Sequence, residues 1–121
     1  MDNFYPRTVF FVRDAPRSLA FYTESLGFTV DWTYRENDRP FVFQVSLFGF
    51  ELILNQTDEH TAARAGHGRV FIGLDHEQAP ALRRHIEAKN IQTAQIYWGK
   101  PTLAILDVDG NELFFWLPDG A

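Results

Sequence analysis

Four histidines, two glutamates in matching contexts and two arginines ahead of them are the residues best equipped for chemistry. His60 and His67 lie in a polar stretch, His76 near the start of a helical segment and His85 within it. Their spacing matches no metal-ligand pattern, so exposed imidazoles are expected, with His85 on the outer side of its helix. Glu51 and Glu112 occur in Gly49-Phe50-Glu51-Leu52 and Gly110-Asn111-Glu112-Leu113. Either carboxylate becomes a general base if desolvation raises its pKa. Arg7 and Arg69 carry permanent positive charge, which either orients a polar ligand or neutralises those glutamates. Trp32 and Trp98, the latter followed by Gly99, offer flat apolar faces for stacking. There is no cysteine, which excludes disulfides, thiolate metal sites and cysteine nucleophiles. No Gly-rich phosphate loop or nucleophile elbow is present, and Ser18, Ser25 and Ser46 lack a nucleophile's context.

The 121 residues that carry these groups amount to one domain, 1–121, able to bury a core. Apolar residues make up 45% and charged residues 22%, the balance of a globular chain. Twelve Phe and three Trp suffice both to fill a core and to line a pocket for a flat ligand. A net charge of -5 argues against nucleic acid, and Arg83-Arg84 reads as a solvated helix face. No apolar run approaches the roughly 20 residues of a membrane span. Met1-Asp2-Asn3 carries neither a basic nor an apolar leader segment, so the cytoplasm is the expected location.

Local patterns divide the chain into short elements. Residues 7–13 are β-branched and aromatic and read as a strand. Asp14-Ala15-Pro16 is a helix start, Leu19, Tyr22 and Leu26 form one apolar helical face, and Gly27 ends the helix. Strands are expected over 28–35, 40–47 and 50–55, with turns at Asn37-Asp38 and Gly49. A polar linker runs from Gln56 to Gly68. A strand over 69–74, a helix over 78–89 and strands over 91–97, 102–106 and 112–117 follow, with Asp109-Gly110 as a hairpin turn.

The second half repeats the first. At an offset of 61 residues Val9 matches Val70, Phe10 matches Phe71, Asp14 matches Asp75 and Ala20 matches Ala81. The Gly49 and Gly110 hairpins align at the same offset, which marks a duplicated module. The expected fold is α+β: two paired βαβββ modules, about 7–55 and 69–117, which the family resemblance described below implies are curled mixed sheets around a cavity. Strand alternation puts Arg7, Val9 and Phe11 on one face with Glu51 and Ile53; Arg69 and Phe71 likewise join Glu112, Phe114 and Trp116.

Two stretches, Val12-Arg13-Asp14 with Ser18-Leu19-Ala20-Phe21-Tyr22 and Leu26-Gly27-Phe28, then Asp107-Val108-Asp109-Gly110-Asn111, resemble the glyoxalase / bleomycin-resistance / extradiol-dioxygenase superfamily. The resemblance covers nearly the whole chain. It implies the fold well and the function poorly, because that superfamily hosts lyases, isomerases, dioxygenases, thiol transferases and drug binders. Its enzymes hold a divalent metal with four His or Glu side chains. The corresponding positions here are Arg7, Arg69, Phe114 and either Glu51 or Ile53, so at most one ligand survives and no metal or other cofactor is expected. The same positions place the alternating face toward a ligand cavity.

The resemblance to the metal-free bleomycin-resistance branch is sharper. Those proteins sandwich a flat cationic antibiotic between aromatic side chains in a dimer-interface groove. Trp32, four residues after Phe28, and Trp98-Gly99, in a loop about one residue longer that includes Pro101, fall at matching places. The resemblance thus implies a homodimer that binds a small aromatic or amphipathic molecule without metal, with bleomycin-type sequestration as its specific form. Trp32, Trp98, Arg7, Glu51, Arg69, Phe71, Phe114 and Trp116 would line the site. The alternative is a glyoxalase-like lyase or isomerase working without the four-ligand metal site, with Glu51 or Glu112 as base.

Overall fold

A computed structural model describes residues 5–118. Its first module runs β1 (Thr8–Val12), α1 (Ala15–Ala20), β2 (Thr29–Glu36), β3 (Arg39–Leu47) and β4 (Phe50–Gln56). The second runs β5 (Arg69–Gly73), α2 (Gln78–Lys89), β6 (Ala94–Tyr97), β7 (Pro101–Leu106) and β8 (Glu112–Trp116). Each forms one four-stranded mixed sheet, β1-β4-β3-β2 and β5-β8-β7-β6, whose first and last strands pair in parallel. This is the expected α+β architecture of two βαβββ modules.

The helix starts and stops follow from local chemistry. Asp14 caps α1 by accepting from the backbone N–H of Arg17 at 3.2 Å. The single helix expected through Leu26 instead widens after Ala20 into a π-helical turn, Phe21–Ser25. The wider turn still buries Tyr22 and Leu26 completely. Gly27 leaves it with φ +82, and a Cβ there would lie 2.5 Å from the His85 ring. His85 therefore packs half-buried against the end of the first helix, not on the outer side expected of it. The second helix ends on Asn90 at φ 52, a left-handed position asparagine tolerates. Pro101, expected inside the Trp98 loop, opens β7 instead.

The repeat has a slip that a constant offset conceals. Thr8 pairs with Leu52, whereas Val70, not Arg69, pairs with Leu113. The last strands superpose at 61 residues and the first strands at 62. Val9 thus corresponds to Phe71 and Phe10 to Ile72, and Arg13 has no counterpart. The metal-ligand positions implied by the resemblance set Arg7 level with Arg69, and the register agrees.

The helix-bearing faces of both sheets share one core, with Phe10, Val12, Leu52 and Leu54 from one module and Leu82, Leu103, Leu113 and Phe115 from the other. Each such side chain contributes about 1.5–3 kcal/mol on burial. The helix-free faces are open in the single chain: Val9, Trp32, Tyr34, Phe71 and Trp98 are each more than a third exposed. Their side chains form depressions on a free surface.

A polar clasp joins the modules. Asp107, 6% exposed, accepts from the Tyr22 hydroxyl at 2.8 Å, the Asn111 side-chain amide at 3.0 Å, and the backbone N–H groups of Asp109 and Asn111, both at 2.9 Å. Asn111 also donates to the Phe11 carbonyl and accepts from the Gly68 N–H at 2.8 Å. Arg13 reaches the buried Asp109 carboxylate at 3.1 Å. The Asp-x-Asp-Gly-Asn segment thus holds the first module's strand end as well as its own hairpin. Burial, followed by the adjacent Asp107 carboxylate, pushes the Tyr22 phenol well above its ordinary pKa.

Candidate functional site

The helix-free face of the first sheet is polar. Gln44, in register with Ile53 and only 3% exposed, lies at its centre. Its amide nitrogen donates to Asp31 and Glu51, both at 3.0 Å, and its oxygen accepts from Arg7 at 3.3 Å. Arg7 also lies 3.8 Å from Glu51, and its guanidinium stacks 4.7 Å over the Tyr5 ring. Ser46 donates to the second Asp31 oxygen at 2.9 Å. Gln44 and Asp31 were not among the expected site residues. Alternation places Gln44 on this face, but Asp31 reaches it only because the β2–β3 register shifts between Val30 and Trp32. A one-residue bulge leaves no reliable trace in a strand sequence.

The matching face of the second sheet is aromatic. Phe71 meets Trp98 edge-on at 4.7 Å and Trp116 at 4.7 Å, and Trp98 stands edge-on to Phe114 at 5.6 Å. Arg69 stacks 4.4 Å over Phe114 and donates through two nitrogens to Glu112, both at 2.8 Å. The Lys100 ammonium lies 4.2 Å over Trp116. Beside this cluster a hollow of about 660 Å³ is lined by Ala94, Ile96, Ala104, Leu106, Glu112 and Phe114. Small side chains on β6 and β7 leave the space, and Phe114 walls it.

The structure gathers Arg69, Phe71, Trp98, Glu112, Phe114 and Trp116 on one face, and Arg7 with Glu51 on the other. It does not bring Trp32 and Trp98 together: Trp32 lies on β2, the outer strand of the first sheet, and Trp98 beside β6, the outer strand of the second. Trp32 makes no ring–ring contact among the described residues. Of the two readings open to the arginines, the structure shows the neutralising one: they pair with Glu51 and Glu112, so neither carboxylate is free of a hydrogen-bond donor. A crevice of about 620 Å³ beside the β2–β3 turn is lined by charged residues such as Asp14, Glu36, Asp38 and Arg39. It contains none of the expected site residues and no aromatic cluster, so the second sheet's face is the stronger candidate.

The register settles the ambiguity at β4. Ile53 pairs with Val9 as Phe114 pairs with Phe71, so Ile53 and Phe114 are equivalent positions. Among the described residues no three His, Cys, Asp or Glu side chains converge to hold a metal ion. His60, His67 and His76 are exposed on loops. No described helix is long and apolar enough to cross a membrane.

Solved structures share this architecture. The bleomycin-binding protein of Streptomyces verticillus, complexed with copper(II)-bleomycin, aligns over 98% of this chain and 100% of its own at TM-score 0.72 and 17% identity. TnmS3, an antibiotic binding protein from Streptomyces sp. CB03234, aligns over 98% of this chain and 100% of its own at TM-score 0.66 and 17% identity. A glyoxalase / bleomycin resistance protein from Catenulispora acidiphila aligns over 96% and 99% at TM-score 0.72 and 21% identity. At such identities the likeness is one of fold. No curated protein sequence matches the chain. Residues 5–115 match the model of the Glyoxalase/Bleomycin resistance protein/Dioxygenase superfamily, and the chain belongs to that superfamily.

Proposed function

We propose that this protein is a metal-independent binder of a small aromatic or amphipathic molecule, with antibiotic sequestration of the bleomycin type as its specific form. The observation that carries the reading is the cluster of partly exposed Phe71, Trp98 and Trp116 around the buried Phe114, beside a hollow of about 660 Å³. The rings of Phe71 and Trp98, each more than a third exposed, are available there to a flat ligand. Superfamily relatives of the same fold that bind antibiotics support it. A lyase or isomerase is the weaker reading, because Glu51 and Glu112, the two candidate bases, are already held by Gln44, Arg7 and Arg69.

The proposal includes a homodimer in the cytoplasm, in which a second copy covers the open faces. Exposed Val9, Trp32 and Phe71 give such a contact its apolar content. Charge supports the pairing of unlike faces: the first carries Asp31 and Glu51 against Arg7, the second Arg69 and Lys100 against Glu112. Sedimentation should show a dimer at micromolar protein that Val9→Glu disrupts.

The first functional measurement is tryptophan fluorescence titrated with bleomycin and other flat drugs in the presence of a chelator. Saturable quenching at low micromolar drug supports sequestration. Silence across the panel removes the drug-binding reading.

A further inference from the structure

The hollow beside Phe114 owes its space to two small residues. Ala94, Ala104 and Phe114 lie in register across β6, β7 and β8. The matching row of the first sheet is Trp32, Gln44 and Ile53, so alanines stand where that sheet has a tryptophan and a glutamine. Ile96 and Leu106 extend the apolar lining. Two acidic residues also border the space. Asp107 is occupied, because its two oxygens accept from four donors inside the clasp. Glu112 is not. Arg69 approaches it from β5, and both short contacts fall on one oxygen, Oε1. No described residue donates a hydrogen bond to the other oxygen, Oε2. On the β7 side Glu112 is in register with Leu106, whose side chain has no donor. The Glu112 side chain is 35% exposed, so a molecule in the hollow can reach it.

We propose that this hollow holds a flat ring bearing a nitrogen cation, an amine, amidine or guanidine, that donates to Glu112 Oε2. This rests on the binding reading above and names the group that orients the ligand. A carboxylate only accepts, so the ligand must supply the proton. A charged donor makes the stronger bond. The ring lies over Ala94 and Ala104, in space that the first sheet fills. Arg69 is a positioning residue: it holds Oε1 from β5 and leaves Oε2 to the ligand. Its own positive charge limits the gain, so the preference for a cation is moderate.

The test uses three planar probes that share one ring: 2-naphthamidine, 2-naphthamide and 2-naphthoate. Binding is read from the methyl signals of Ala94, Ala104, Ile96 and Leu106 in carbon-13 spectra, with the tryptophan indole signals recorded alongside. The amidine should bind about tenfold more tightly than the amide, and the carboxylate more weakly than either. Glu112→Gln should bring the amidine-to-amide ratio to one or below, Arg69→Gln should raise it, and Ala104→Leu should block all three probes. Equal affinities in the parent protein, or a ratio that Glu112→Gln leaves unchanged, overturn the Glu112 assignment and leave the flat-ligand reading standing. Should Glu112→Gln fail to fold, a ratio that Arg69→Gln does not raise overturns it equally. Amidine binding that moves the Trp98 indole signal but not the alanine methyls overturns the place of the ring. If no probe moves either set of signals, the flat-ligand reading fails with the proposal.

Discussion

The two helix-free faces have the same topology and nearly the same register, yet opposite chemistry. Arg7 with Glu51 and Arg69 with Glu112 occupy matching places, and Ile53 matches Phe114. What differs lies one strand away. On β3 the centre of the first face is Gln44, which gathers two carboxylates. On β7 the corresponding partner of Phe114 is Ala104, whose small side chain opens a hollow. A duplicated scaffold thus keeps its ion pairs and changes its binding surface at the positions beside them, Gln44 against Ala104, Val9 against Phe71 and Ile53 against Phe114. The comparison shows which residues carry specificity: those that break the symmetry.

The sharpest way to break the comparison is to set Asp107, in the clasp, against Ser46, on the open face of the first sheet. Asp107→Ala strands the Tyr22 hydroxyl and the Asn111 amide in the core and should cost roughly 3 kcal/mol or more in urea unfolding. Ser46→Ala, on the open face, should cost about 0.5–1 kcal/mol. Equal losses would mean that the clasp is no more than another surface contact.

The helix ends differ next. Gly27→Ala places a methyl against the His85 ring at a positive φ and should lower stability by about 2 kcal/mol. Asn90→Gly, at the second helix end, should be neutral or stabilise by a few tenths of a kcal/mol. Thermal melts of the two variants decide this.

On the binding side, Trp98→Ala should weaken an aromatic ligand by about 1–3 kcal/mol, a range taken by analogy from base stacking. Trp32→Ala should cost less, because Trp32 has no ring neighbour among the described residues. Calorimetry with the tightest ligand found ranks the two, and a larger loss at Trp32 would move the site to the first face.

The smallest effect is a pH dependence confined to alkali. Tyr22 has a folded pKa raised above its unfolded value of about 10. Its contribution is complete below that value and is lost as pH rises, because the unfolded chain releases the proton first. Tyr22→Phe should flatten the decline above about pH 10.

Much of this was legible in the chain itself. Element boundaries lie within a few residues of the expected ones because Asp14, Gly27, Asn37-Asp38 and Gly110 punctuate them with turn and cap chemistry. The faces of Arg7, Arg69, Glu112 and Phe114 followed from strand alternation. Three features were hidden for physical reasons. The π-helical turn preserves the same buried positions as an α-helix, so the apolar pattern does not announce it. The bulge at Asp31 moves one side chain across the sheet without altering composition. The slip at Arg13 lies between two segments that each repeat well, so matching residues on either side conceals it.

Arg13 and Asp109 are separated by 96 residues, and Asn111 reaches the Phe11 carbonyl across 100. Within a module, by contrast, the longest strand pairing spans only Thr8 to Leu52. On the ribosome the first sheet can therefore close before the last hairpin has been made, whereas the clasp needs residues from both halves. Loop closure over so long a span is slow compared with either hairpin. If the clasp limits folding, Asp107→Ala should refold more slowly than the parent chain in stopped-flow mixing, and an unchanged rate would place the slow step inside the modules.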